Sequence, residues 1–272
     1  MNKLQLHQIM EMSNESAALI VQKEYGKGME KLKTCLGQLQ AHLTQMPKLS
    51  SGNSGDAHSS SLDTWMYPAV EALHDDDGCG PTSSFFVYRR PLVVPLSNIG
   101  TAENLKSSHN CVTGQHTSLL IAMLFNYGLA CHLAYIDHGE GRLNDGSRPE
   151  YDLLQRASQM YDLAITNRRR LVPSEATAHR NVVSSNIQFF RAAMNNLAIC
   201  EQTRCGLLAA PRNASGASDI PFNKGFERLR ELLLQYPPAS NAPAQQTLWN
   251  CYMSNILSVI YSFQPNYCAA AC

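Results

Sequence analysis

The spacing of apolar residues along the chain predicts a series of helices separated by polar loops. Apolar side chains recur three and four residues apart, as they do along one face of a helix. Prolines and glycines interrupt the pattern, and Pro47 ends the second helix. The last helix should cover the preceding ones, with Trp249 largely buried. The predicted helices comprise residues 4–22, 27–44, 118–135, 153–166, 175–204, 222–235 and 245–262.

Two stretches lack the helical pattern. Residues 48–62 are rich in serine and glycine, and they contain too few apolar side chains to offset the entropy of ordering them. Residues 85–96 are rich in aromatic and β-branched residues, but their prolines restrict them to an edge strand or an extended arm. We therefore predict a helix pair at 1–47, a flexible linker at 48–84, and a main helical-repeat domain at 85–272 that ends in the capping helix.

The charge balance argues against two classes of partner. Lys plus Arg and Asp plus Glu number 22 each, so the formal net charge is zero. Proteins that bind nucleic acid or a membrane surface usually carry a basic excess, and we expect neither partner here. The first residues lack the apolar run of a signal peptide, and no stretch has the length of a membrane span. Several of the nine cysteines fall on helical apolar faces, so we predict an intracellular, cytoplasmic location.

Small and aromatic residues recur at positions that bring helices close together. Ala157 and Ala164 flank Tyr161 on one helical face, because residues three and four apart lie above one another. Gly128 is a small residue on the preceding helix, and we expect it to face Ala157 across a close crossing. The pattern resembles tetratricopeptide repeats. The residues that carry the resemblance are Leu124, Tyr127, Gly128, Cys131, Ala157, Tyr161 and Ala164 in a central unit, Met194, Leu197, Ala198, Glu201, Gly225, Leu229, Leu232 and Pro237 in the next, and Met12, Ser16, Leu19, Tyr25, Gly28, Leu32 and Cys35 near the N-terminus.

Asparagine supplies a further point of similarity. Asn14, Asn126 and Asn196 each lie two residues before the small residue of a first helix, where the family consensus often has asparagine. The chain departs from the family where Leu124 and Met194 replace an aromatic residue, and its later units contain long inserted loops. An unrelated helical bundle also uses small residues at close crossings and remains the alternative.

The resemblance implies an all-α fold of antiparallel helix pairs, stacked as a short α-solenoid with a concave groove for a partner protein or peptide. The groove positions lack Lys and Arg, so an apolar or amphipathic helical segment suits them better than an acidic peptide, unless the chain's own arm at 85–96 occupies the groove. In the alternative interpretation, Phe125 and Leu129 are simply core residues. The groove positions are Phe125, Leu129, His132 and Leu133, then Asn195, Ile199 and Gln202, with Ser13, Ala17 and Ile20 near the N-terminus.

Residues suited to catalysis or metal binding do not form a recognised motif. The chain contains no G-x-S-x-G, P-loop or G-x-G-x-x-G sequence. His109, Cys111 and His116 are zinc-binding residue types, but they lack the paired short spacings of a zinc site. We therefore predict an interaction module or scaffold, with no enzymatic activity, cofactor or metal. The alternative is an enzyme of unknown class with a loop-borne site near these three residues.

Overall fold

The structure, a computed structural model, consists of α-helices and one extended segment. It describes residues 3–45, 85–94, 109–139, 149–171, 180–209, 224–238 and 243–262. Within these ranges lie seven helices: α1 (Lys3–Val21), α2 (Tyr25–Gln45), α3 (His109–Gly139), α4 (Pro149–Leu171), α5 (Arg180–Ala209), α6 (Lys224–Gln235) and α7 (Pro243–Ser262). No strand occurs in the ranges just given, so the predicted all-α class is confirmed. The predicted linker at 48–84 lies outside them.

The helix α3 is longer than the apolar pattern predicted. It begins at His109 rather than at Ser118. Polar side chains are usually exposed, so the sequence pattern predicts a loop before Ser118. His116 and Ser118 are nevertheless both only 2% exposed. The expectation that no stretch has the length of a membrane span does not hold for His116–Asp137, which by length and composition could cross a membrane. Most of this stretch is buried inside the fold.

A tight turn joins α1 to α2. Lys23 has a positive φ of 63°, the left-handed conformation that commonly ends a helix. The N–H groups of Lys23 and Glu24 donate to the carbonyls of Ile20 at 3.0 Å and Leu19 at 2.9 Å. These two bonds form a Schellman motif, which satisfies carbonyls at the end of α1. The turn allows α2 to begin at Tyr25, two residues before its predicted start.

Contacts divide the chain into two compact units. The first unit comprises Met1–Pro68 and Arg89–Asn186, and the second comprises Ala69–Tyr88 and Ile187–Cys272. In the first unit α2 packs against both α1 and α3, and α3 packs against α4. This grouping differs from the predicted division, in which the first helix pair stood apart from a main domain. The difference arises because α2 contacts α3 as well as its own partner in the pair.

The predicted close crossing of α3 and α4 is confirmed. A Cβ atom added to Gly128 would lie only 3.2 Å from the carbonyl oxygen of Ala157 and from the Tyr161 ring. A similar approach occurs between α1 and α2, where a Cβ on Gly28 would lie 3.3 Å from Cγ1 of Ile20 and 3.4 Å from the carbonyl oxygen of Ser16. Both crossings therefore require glycine or a displaced neighbour. They fit a tetratricopeptide-like pair and an unrelated bundle equally, so the family resemblance stays a prediction.

In the second unit, α6 packs against α7. Phe226 and Leu233 of α6 are fully buried, and Tyr252 of α7 is 1% exposed. Trp249 also contacts α6, because its indole N–H donates to the carbonyl of Leu233 at 3.3 Å. Trp249 is only half-buried, whereas we expected it to be largely buried. The buried face of α7 runs instead through Leu248, Tyr252, Asn255, Ile256 and Val259.

Candidate functional site

Residues 85–94 form an extended segment whose main chain is held by asparagine side chains. We call these residues the resident segment. Their backbone is neither helical nor paired in a sheet. The described part of the predicted arm at 85–96 is thus extended, as expected. Residues 85–88 of the segment belong to the second compact unit, and residues 89–94 belong to the first.

In the first unit, Asn14 and Asn126 bind alternate residues of the segment; we call this pair the first asparagine site. The N–H of Leu92 donates to Oδ1 of Asn126 at 2.7 Å, and Nδ2 of Asn126 donates to the carbonyl of Leu92, also at 2.7 Å. Asn14 repeats the arrangement on Val94, with distances of 2.9 Å to the N–H and 2.8 Å to the carbonyl. Each carboxamide therefore contacts both polar groups of one main-chain residue.

In the second unit, Asn196 and Asn255 bind the segment in the same way. The N–H and the carbonyl of Tyr88 each lie 2.9 Å from the side chain of Asn196. The N–H and the carbonyl of Phe86 each lie 2.7 Å from the side chain of Asn255. Asn195 adds a bond from its Nδ2 to the carbonyl of Phe86 at 3.0 Å. These three asparagines form the second asparagine site.

The chemistry of the carboxamide explains the pattern. An asparagine side chain offers one carbonyl acceptor and an NH₂ donor. The N–H and C=O of one residue in an extended chain point to the same edge, as in the hydrogen-bonded pairs of an antiparallel sheet. Alternate residues share an edge, which is why the bound residues are Phe86 and Tyr88 in one unit and Leu92 and Val94 in the other. Such contacts recognise an extended main chain and are independent of the side chains it carries.

Side-chain contacts differ between the two sites. In the first unit Leu92 is 6% exposed and Val94 is 2% exposed. In the second unit the Phe85 ring stacks against Phe226, with centroids 6.2 Å apart, and the Phe86 ring meets Tyr252 edge-on at 5.7 Å. Phe85 and Phe86 are both half-buried.

The residues predicted to line a groove are largely buried. Asn195 contacts the resident segment, as described above. Phe125 packs against Tyr161 of α4, with ring centroids 5.5 Å apart, which agrees with the alternative interpretation of Phe125 as a core residue. Gln202 is half-buried. The buried members of the predicted set are Ser13, Ala17, Ile20, Phe125, Leu129, His132, Leu133, Asn195 and Ile199.

The sequence interpretation missed four of the five asparagines as contact residues. Asn14, Asn126 and Asn196 had been noted only as a mark of the repeat. Their common place, two residues before a small residue, was the available signal. Asn255 lacks this signal because it precedes Leu257 by two residues.

Three buried ionisable groups on α2 and α3 are held in their neutral forms. Burial, with a smaller contribution from the charge of Arg89, lowers the pKa of His132 to about 3. Nδ1 of His132 has no hydrogen-bond partner in the described part of the chain. Burial raises the pKa of Cys131 to about 12 and that of Cys35 to about 11. Since the thiolate is the nucleophilic form, neither cysteine is prepared for nucleophilic chemistry.

Of the three candidate metal or catalytic side chains, the structure describes that of His116. The side chains of His109 and Cys111 lie outside the described residues. His116 is buried, and its ring centroid lies 5.2 Å from that of His42. Among the side chains that the structure describes, no group of three or more His, Cys, Asp or Glu could hold a metal ion.

Comparison with known proteins adds no assignment. The chain matches no family model, no curated protein and no solved structure. Its function must therefore be argued from the asparagine sites themselves.

Proposed function

We propose that the protein is an interaction module that binds an extended segment of a partner protein through the partner's main chain. The observation that supports this proposal most directly is the repeated two-point contact between a carboxamide and one main-chain residue. In this proposal the resident segment is an intramolecular ligand, and its contacts with the asparagines support main-chain recognition of a partner. The intracellular location remains a prediction.

The contacts favour an extended partner over the helical partner that we expected from the sequence. In a helix the main-chain N–H and C=O groups already bond to each other. They are therefore not available to an asparagine side chain. An extended peptide leaves them free and presents them on one edge at every second residue. Peptide recognition by strand addition uses the same main-chain groups.

The proposal can be tested with a synthetic peptide that copies residues 85–94. Binding of the fluorescently labelled peptide to the full-length protein would be measured by anisotropy. The Phe86→Ala protein is suited to this measurement because loss of the ring contact with Tyr252 weakens the resident segment. In that background, Asn255→Leu removes two hydrogen bonds to the bound peptide and should weaken its affinity about tenfold or more.

Asn250→Leu in the same background is the matched control. Asn250 lies on the same helix, is exposed, and accepts a hydrogen bond from Gln246 rather than from the segment. It should leave peptide affinity unchanged. Equal affinities of the two asparagine variants would contradict the proposal, as would failure of the peptide to bind the Phe86→Ala protein.

A further inference from the structure

We infer that residues 85–88 are an exchangeable occupant of the second asparagine site, and that the partner which replaces them is an extended segment with two consecutive aromatic residues. We call residues 85–88 the aromatic stretch. The inference rests on the function proposed above and adds both the chemistry of the partner and a built-in competitor. It concerns the second unit alone.

The buried asparagine side chains of the second site are arranged to bind an extended main chain. Asn195, Asn196 and Asn255 are each at most 2% exposed. Nδ2 of Asn255 donates to Oδ1 of Asn195 at 2.7 Å, and Nδ2 of Asn195 lies 3.3 Å from Oδ1 of Asn196. The carboxamides thus orient one another toward Phe86 and Tyr88. Removal of the segment would break the bonds to Phe86 and Tyr88 at side chains that are shielded from water, which is unfavourable. Replacement by another extended main chain restores these bonds.

The ring contacts specify what that chain should carry. Successive side chains of an extended segment point to opposite faces. Phe85 accordingly meets Phe226 of α6 and Phe86 meets Tyr252 of α7. Their interplanar angles of 29° and 63° belong to the stacked and edge-on arrangements that aromatic pairs prefer. Two consecutive aromatic residues are therefore needed to occupy both surfaces, whereas aliphatic residues would lose both ring contacts.

The aromatic stretch is held in a way that permits exchange. Phe85, Phe86 and Tyr88 are half-buried, so part of each side chain already contacts water, whereas the smaller Val87 is 7% exposed. On departure, each of these three rings gives up less apolar burial than a fully buried ring would. The resident stretch should therefore lower the apparent affinity of a partner without excluding it, since only the open fraction of the protein can bind.

The inference is tested with two short peptides and two full-length proteins. One peptide copies residues 84–90, and the other has leucine in place of Phe85 and Phe86. Both would be titrated against the wild-type protein and the Phe86→Ala protein. We expect the aromatic peptide to bind the Phe86→Ala protein about tenfold or more tightly than wild type, because the competitor is weakened. The leucine peptide should bind more weakly than the aromatic peptide to both proteins.

N-methylation of the peptide distinguishes main-chain recognition from non-specific binding. An N-methyl group at Phe86 removes the donor to Asn255 and should abolish binding. The same group at Val87 is the matched control, because the N–H of this residue points to the opposite edge. Circular dichroism should establish that the Phe86→Ala protein is folded. If it is not, Phe85→Ala replaces it, since this change removes the ring contact with Phe226 and keeps that between Phe86 and Tyr252.

The outcomes distinguish main-chain binding in general from exchange of the aromatic stretch. Equal affinity of the aromatic peptide for the wild-type and Phe86→Ala proteins would contradict the claim that residues 85–88 compete with a partner for the site. Equal affinity of the aromatic and leucine peptides would overturn aromatic selection. Binding of the peptide 85–94 without binding of either short peptide would reject the inference and leave the proposed function intact. Failure of every peptide on every protein would reject both.

Discussion

The two asparagine sites bind main chain by the same chemistry but surround it differently. At the first site, Leu92 and Val94 are buried almost completely. At the second, Phe86 and Tyr88 are half-buried. The bonds that main-chain N–H groups donate to the carboxamides are of similar length at both sites, between 2.7 and 2.9 Å. Hydrogen bonds thus determine where an extended chain lies, whereas side-chain burial determines how firmly it is retained.

The comparison distinguishes a structural role from a binding role. A chain whose side chains are buried behaves as part of the core, because its release exposes apolar surface to water. Within residues 85–88 the small Val87 is buried, but Phe85, Phe86 and Tyr88 are half-exposed, so each ring exposes less new apolar surface on release. Residues 92–94 should therefore be a permanent part of the first unit, whereas residues 85–88 are suited to exchange.

Removal of a carboxamide should be most damaging at the first site. Asn126→Leu leaves the buried N–H and C=O of Leu92 without partners, and each orphaned group costs about 1–3 kcal/mol. Asn196→Leu should cost less, because Tyr88 is half-buried and water can replace the lost bonds. Urea denaturation of both full-length variants would measure the difference. Equal losses would show that the sites do not differ in this respect.

Truncation of the bound side chains should follow the same order. Leu92→Ala should lower the free energy of unfolding by about 2–5 kcal/mol, as for other buried leucines. Phe86→Ala should cost roughly half as much, because the Phe86 side chain is only half-buried. Chemical denaturation provides the measurement, and Val93→Ala is a suitable control because Val93 is 39% exposed. A larger loss for Phe86→Ala than for Leu92→Ala would reverse our assignment of roles.

Acid should weaken the first unit through His132. The folded-state pKa of His132 is about 3, well below its ordinary value of 6.5, so the unfolded chain takes up a proton first as the pH falls. Stability is then lost from about pH 6.5 toward pH 3, by about 1.4 kcal/mol for each pH unit. His132→Leu should flatten this dependence when unfolding is measured between pH 7 and pH 5. An unchanged slope would show that another group is responsible. The contacts of the second site involve carboxamides and aromatic rings, which do not titrate in this range.

Hydrogen exchange at single amides should distinguish the first asparagine site from the second. The N–H groups of Phe86, Tyr88, Leu92 and Val94 all donate to asparagine side chains. We expect those of Leu92 and Val94 to exchange about tenfold more slowly, a difference of about 1.4 kcal/mol in local opening. NMR of the full-length protein in deuterated buffer would measure the rates. Uniform protection of all four amides would mean that the whole segment opens as one body.

Local sequence patterns were sufficient for much of the helical structure. The spacing of apolar residues predicted each helix, since one face of each must be buried. The small residues Gly128 and Ala157 also predicted a specific contact, because a close crossing excludes larger side chains. The pattern failed at the start of α3, where polar residues such as His116 and Ser118 are buried. Burial of a polar side chain depends on neighbours that are distant in sequence, so no local pattern predicts it.

The sequence by itself determined the all-α class, the extended character of residues 85–94 and the recurrence of asparagine at corresponding positions. Only the tertiary structure decided what those asparagines bind. Asn126, Asn14, Asn196 and Asn255 lie 34, 80, 108 and 169 residues from their partners. Each contacts main-chain N–H and C=O groups, which nearly every residue possesses, so no side-chain pattern marks the partner. The same generality allows another extended segment to take its place.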